Sequence, residues 1–147
     1  MSIPLTNPPV VVVPIAFAEY DKPADGSGAT QFDPLARIKN DVAAIQALFG
    51  SAPYRDCGFE VLAPIWGGTA GTITDALTAV RQQLRSRPGA VAILYWTGHG
   101  RTAGNELRLI TRECVDPISP SDGLSPREVI GKLADAGLRE LLVTTRR

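Results

Sequence analysis

The first continuous apolar run, residues 9–17, is rich in valine and predicts a strand buried on both faces. Residues 19–31 are polar and glycine-rich and read as a loop. Asp33 is placed to cap a helix with Pro34 at its first position. Ile38, Val42, Ile45 and Phe49 then recur at helical spacing, and Gly50 closes that helix. Residues 51–58 read as a turn and residues 59–65 as a second, shorter strand.

After Gly67, Gly68 and Gly71, a second helix begins at Thr72 or Thr74. Its apolar stripe is Ile73, Ala76, Leu77, Val80 and Leu84. Arg81, Arg85 and Arg87 lie in its later turns, where they complement the helix dipole, and Pro88-Gly89 ends it. Residues 90–95 form a third buried strand. Residues 105–113 alternate at Leu107, Leu109 and Thr111, which predicts a short accessory hairpin. Residues 116–123 read as a loop. Ser125-Pro126-Arg127-Glu128 is a capping box with proline at the first helical position. Ile130, Leu133 and Ala134 give this third helix an inner face, and Gly137 ends it. Residues 138–143 make a fourth strand.

Helices that join successive strands force parallel pairing, and right-handed crossovers place helices on both faces. The expected fold is α/β: a three-layer α/β/α sandwich with a mostly parallel sheet, in a single domain over residues 1–147. No internal repeat or low-complexity tract interrupts it.

Composition narrows the function. Lysine plus arginine and aspartate plus glutamate number 15 each, so the formal net charge is zero. That argues against nucleic acid and against an anionic membrane surface as partners. The apolar runs are too short to span a membrane. Residues 10–18 end in a small-x-small pattern, but residues 1–20 hold no lysine or arginine, so a secretory signal is not expected. With only Cys57 and Cys114, free thiols in the cytoplasm are the expectation. One histidine and two scattered cysteines give no metal-ligand spacing. Gly67-Gly68-Thr69-Ala70-Gly71 lacks the lysine of a phosphate-binding loop and reads as an ordinary connection. Trp66 and Trp96 read as packing residues.

His99 is the chain's only histidine, in Tyr95-Trp96-Thr97-Gly98-His99-Gly100, directly after the third strand. Sites in open parallel sheets lie outside the carboxyl ends of the strands, so the position suits chemistry. The plain alternative is a turn histidine between two glycines.

The apolar strand followed by Thr97-Gly98-His99-Gly100 resembles the histidine motif of caspase-like cysteine peptidases, the caspase and metacaspase group. The resemblance extends to residues 11–20 as first strand, to Asn40-Asp41 with Ala43-Ala44 and Leu48 in the first helix, to Gly58-Phe59-Glu60-Val61, and to residues 124–142. It implies that His99 is the partner base of a cysteine thiol and that the Gly100 N–H binds the oxyanion. It implies a protein or peptide substrate and no cofactor. Asp21 and Asp25 fall where such enzymes build part of the pocket for the residue before the cut, where an acid suits arginine or lysine. Taken singly, each also reads as part of a solvated acidic loop.

The match departs from the family at the nucleophile. The family's cysteine follows its histidine by about 50 residues, which places it near position 149, beyond Arg147. The chain therefore reads as the N-terminal, large-subunit-like portion of such a domain, incomplete on its C-terminal side and inactive as it stands. Cys114 and Cys57 match no family nucleophile and read as structural or unreactive thiols. The alternative is a non-catalytic interaction module that self-associates through the open sheet edge.

Overall fold

The computed structural model describes residues 7–146. Residues 1–6, at the start of the N-terminal stretch, and Arg147 lie outside the described residues. The chain forms a mixed α/β structure around a parallel sheet. β1 spans Val10–Ala16, α1 Ile38–Phe49, α2 Ala52–Asp56, β2 Phe59–Val61 and β3 Ile65–Trp66. α3 spans Ala70–Arg85, β4 Val91–Thr97, β5 Gly100–Ala103, β6 Glu106–Leu109, α4 Pro126–Leu133 and β7 Glu140–Arg146.

The sheet order is β2–β1–β4–β7, with β3 also alongside β1, and every pair in it is parallel. The chain moves from β1 outward to β2, then crosses back to β4 and on to β7. The order therefore reverses between β1 and β4, the place where parallel sheets open a crevice at their carboxyl ends. β5 and β6 form a separate antiparallel hairpin.

One expected strand, residues 59–65, is two. The cause is Pro14 in the adjacent central strand. Val10 donates to Gly58, Leu62 donates to the Val12 carbonyl, and Gly67 donates to the Ala16 carbonyl. The even-numbered backbone groups of β1 thus face β2 and β3. Pro14 shares that side and has no N–H to offer. Pairing with β2 stops at Val12 and resumes with β3 at Ile15, on either side of the proline.

Side chains of β1 alternate as the pleat requires. Val11, Val13, Ile15 and Phe17 join the larger core cluster with Leu77 and Leu84 of α3, Leu133 of α4, and Ala92, Leu94 and Trp96 of β4. Ala16 belongs to a smaller cluster with Ile38 and Val42 of α1. Each fully buried valine or leucine in these clusters contributes about 1.5–3 kcal/mol of transfer free energy.

The helix boundaries shift in ways that physical causes explain. α1 begins at Ile38, not after Asp33: the Leu35 N–H, which an Asp33 side-chain cap would draw on, donates instead to the Ala18 carbonyl at 2.9 Å. α3 begins earlier than Thr72, since the Thr69 hydroxyl accepts from the Thr72 N–H and caps it. Ala70 N–H finds the Glu113 carboxylate at 3.2 Å. The expected turn at residues 51–58 contains the five-residue α2. The capping box of α4 is present as expected, with Ser125 and Glu128 bonded reciprocally. The hairpin starts at Gly100, five residues before its expected beginning. Trp96 is buried, whereas Trp66 is 49 % exposed and is not a core residue.

Candidate functional site

His99 follows β4 at the carboxyl edge of the sheet and leads directly into β5. Beside it, β7 runs parallel to β4 as far as the pair Thr97–Arg146. The expected neighbouring of the third and fourth long strands is therefore present, and both carboxyl ends open on the same edge.

The long connection after β1 passes over this point. Gln31 Nε2 donates to the Tyr20 carbonyl at 2.6 Å, and Thr30 and Asp116 exchange backbone bonds at 2.7 and 2.8 Å. Together with the Leu35–Ala18 bond, these contacts pin the loop and bring Asp33 to His99. The Asp33 carbonyl oxygen lies 2.8 Å from His99 Nε2. A carbonyl can only accept, so Nε2 carries the proton and Nδ1 of the neutral ring keeps the basic lone pair.

The His99 backbone is held on both sides. Its N–H donates to Tyr20 Oη at 3.1 Å, and its carbonyl accepts from the Ile110 N–H at 3.0 Å. The Tyr20 and Phe32 rings flank the imidazole with centroids at 5.1 and 5.5 Å. The Arg101 guanidinium carbon sits 5.6 Å from the Phe32 centroid. Tyr20 is buried, and burial pushes its phenol up to about 12, against the lowering effect of the bond from His99.

The two glycines around His99 do different things, and neither has a positive φ. Gly98 supplies space. A Cβ there would lie 3.1 Å from Tyr20 Oη, 3.3 Å from Trp96 Nε1 and 3.4 Å from Phe17 Cβ. Gly100 has its amide turned out of the hairpin ladder. It opposes Leu109 in the hairpin. Leu109 exchanges its backbone bonds with Leu124 instead, at 2.6 and 3.0 Å, and Ile110 bonds to His99. Gly100 and Leu109 are thus a non-hydrogen-bonded antiparallel pair, and the Gly100 N–H points away from β6. Arg108 fixes the hairpin from below the surface. It is 4 % exposed and donates to the carbonyls of Asp122 at 2.7 Å and Gly123 at 3.2 Å.

A cleft of about 270 Å³ opens beside Gly98, lined by Leu35, Arg37, Ile38, Asp41, Thr97 and Gly98 among others. Thr97 is 3 % exposed, and its hydroxyl has no hydrogen-bond partner among the described residues. The carboxylate in this cleft is Asp41, in the first turn of α1. Sequence reasoning placed Asp41 in a helix but did not read it as a site residue. Asp21 and Asp25 do not line this cleft. Asp21 accepts from Arg112 Nε at 2.9 Å, and its N–H donates to the Arg112 carbonyl at 2.9 Å. Asp25 is exposed in the turn closed by the Ser27–Ala24 bond. A second cleft of about 360 Å³ lies past the ends of β1 and β3, bordered by Glu19, Lys39, Trp66 and Arg112.

Neither cysteine is set up as a nucleophile. Cys57 is exposed at the end of α2. Cys114 is buried, with its sulfur 3.4 Å from the Thr111 hydroxyl. Burial pushes its thiol up, which disfavours the thiolate needed for attack. Among the described residues no group of three or more histidine, cysteine, aspartate or glutamate side chains is placed to hold a metal. No described helix is long and apolar enough to cross a membrane.

No protein-family model matches the chain, and none of the curated proteins matches it.

Proposed function

We propose that this chain carries the histidine half of a caspase-like cysteine endopeptidase site, in the N-terminal portion of a three-layer α/β/α domain. The observation that carries the reading is the bond between His99 Nε2 and the Asp33 carbonyl. It leaves Nδ1 as the base, on the edge where β4 and β7 end side by side. The Gly100 N–H, turned out of its hairpin ladder, supplies a donor one residue away.

The chemistry follows from these parts. A thiol delivered just beyond β7 lies one strand over, about 4.8 Å across the sheet. His99 Nδ1 takes its proton, and the thiolate sulfur bonds to the scissile carbonyl carbon. The carbonyl oxygen becomes an oxyanion and accepts from the Gly100 N–H, a contribution of about 3–4 kcal/mol when such a donor is preorganised. His99 Nδ1–H then protonates the leaving amine, and water releases the acyl group from sulfur. Neither Cys57 nor Cys114 fills the nucleophile's place in this scheme.

The cleft beside Gly98 gives the side chain before the cut a place to sit. The Thr97 hydroxyl offers it a polar partner, and Leu35 and Ile38 offer apolar surface. The test is a version of the chain in which an Asp-x-Cys segment and its following strands are joined after Arg146, at the end of β7. Offered fluorogenic peptides with arginine, lysine or aspartate before the cut, it should cleave at least one of the three sets. A folded, soluble extended protein that cleaves none of them rejects the reading.

A second reading rests on β7, which pairs only with β4 among the described strands. Its other edge is a template for strand addition, and self-association through it needs no catalysis. Concentration-dependent mass by sedimentation, together with an inert His99 in the extended protein, would favour this interaction module.

A further inference from the structure

We propose that Tyr20 is a positioning residue for His99. Its phenol oxygen fixes the His99 peptide plane, and with the Asp33 carbonyl it holds the imidazole in the Nε2–H tautomer. The inference deepens the proposed function and rests on His99 being the base.

A backbone anchor alone does not orient a side chain, and a ring anchor alone does not fix where the ring starts. His99 has both, from one loop. Tyr20 Oη holds its N–H and the Asp33 carbonyl holds its Nε2, at 3.1 and 2.8 Å. Tyr20 and Asp33 are joined through Gln31 Nε2, which bonds the Tyr20 carbonyl, and through Phe32, whose ring lies 5.9 Å from that of Tyr20. The two anchors therefore move together. The Tyr20 ring is tilted 47° to the imidazole and the Phe32 ring 37°, which restricts rotation of the histidine ring between them.

Space and charge both favour an orienting role. A side chain at residue 98 would reach the phenol oxygen, so the hydroxyl occupies room that Gly98 leaves open. Tyr20 stays protonated up to about pH 12, so at neutral pH it is an uncharged acceptor. It adds no negative charge to stabilise an imidazolium. Its effect on His99 is directional.

The chain's single histidine makes the test direct, because a long-range proton–nitrogen NMR spectrum contains one imidazole. In the wild type, one ring nitrogen should be protonated (Nε2) and the other pyridine-like (Nδ1). Tyr20→Phe, which keeps the ring and removes the acceptor, should shift the His99 amide resonance and move the ring nitrogens toward a tautomer mixture. Replacing Tyr20 by 3,5-difluorotyrosine keeps the oxygen and weakens it as an acceptor. That protein should retain the wild-type tautomer with a displaced His99 amide. In the extended enzyme, Tyr20→Phe should lower kcat about 10- to 100-fold with little change in KM. A folded Tyr20→Phe protein with a wild-type tautomer overturns the proposal. If that variant does not fold, a His99 amide unmoved by fluorination overturns it. The tautomer is read without any nucleophile, so a failure here is distinct from a failure of the extended protein to cleave peptides.

Discussion

The carbonyl oxygen of Asp33 meets Nε2 of His99 at 2.8 Å, across 66 positions of sequence. It uses the backbone of an aspartate whose side chain is not in the contact. Substituting Asp33 therefore leaves the acceptor in place, whereas displacing the loop removes it. The restraints on that loop, from Ala18, Tyr20 and Asp116, become restraints on the histidine.

Gly98 and Gly100 should respond unequally to alanine. Gly98→Ala places a methyl 3.1–3.4 Å from Tyr20, Trp96 and Phe17, so these buried neighbours must give by a few tenths of an ångström. Its expected cost is about 1–3 kcal/mol, with displacement of the His99 loop. At Gly100 the new methyl meets Leu107 Cδ1 at 3.4 Å, an ordinary contact. Its cost should stay under about 1 kcal/mol. Urea midpoints of the two variants give the comparison, and equal losses would contradict the packing described.

Alkaline stability should report on Tyr20. The unfolded phenol ionises at its usual value of 10.0, and the folded one at about 12. Between these values the unfolded state has released a proton that the folded state retains, so rising pH favours unfolding. The contribution is present in full below pH 10.0 and is lost as pH climbs through about 12. The steepest slope is about 1.4 kcal/mol per pH unit. Tyr20→Phe should flatten the dependence of unfolding free energy on pH in this window. A variant that tracks the wild type there would show that Tyr20 is not the group concerned.

The two thiols should differ in reactivity. Cys57 is exposed and Cys114 is buried with its thiol pushed up. A disulfide reagent added to the native protein should modify one cysteine quickly, and Cys57→Ser should remove that phase. The Cys114 phase should appear at the rate of opening or unfolding. Rapid modification of Cys114 in the native state would reopen its candidacy as a nucleophile.

Much of this architecture is legible in the chain. A β-branched run marks β1, an apolar run marks β4, and the Ser125–Glu128 spacing marks α4, because these signals are local. The strand-then-glycine setting of His99 also marks the carboxyl edge of a sheet. What sequence does not carry is the approach of distant backbone. The Asp33 and Tyr20 contacts to His99 span 66 and 79 positions and have no local pattern. Pro14 was visible, but its effect falls on a neighbouring strand, so the division into β2 and β3 depends on which side of β1 the proline faces. Asp33 carries the signature of a helix cap, and a competing bond from Leu35 to Ala18 overrides it. Asp41 was legible as a helix residue, while its place in a cleft with Thr97 required the register of α1 against β4.

We propose His99 as the general base for a thiol placed at the end of β7. The most direct measurement is the rate at which an acyloxymethyl ketone probe labels the extended protein, compared with its His99→Ala variant. A positioned general base typically contributes at least about 100-fold, so labelling should fall by that factor or more when His99 is removed. Equal labelling rates in two folded proteins, or no labelling in either, would contradict the claim.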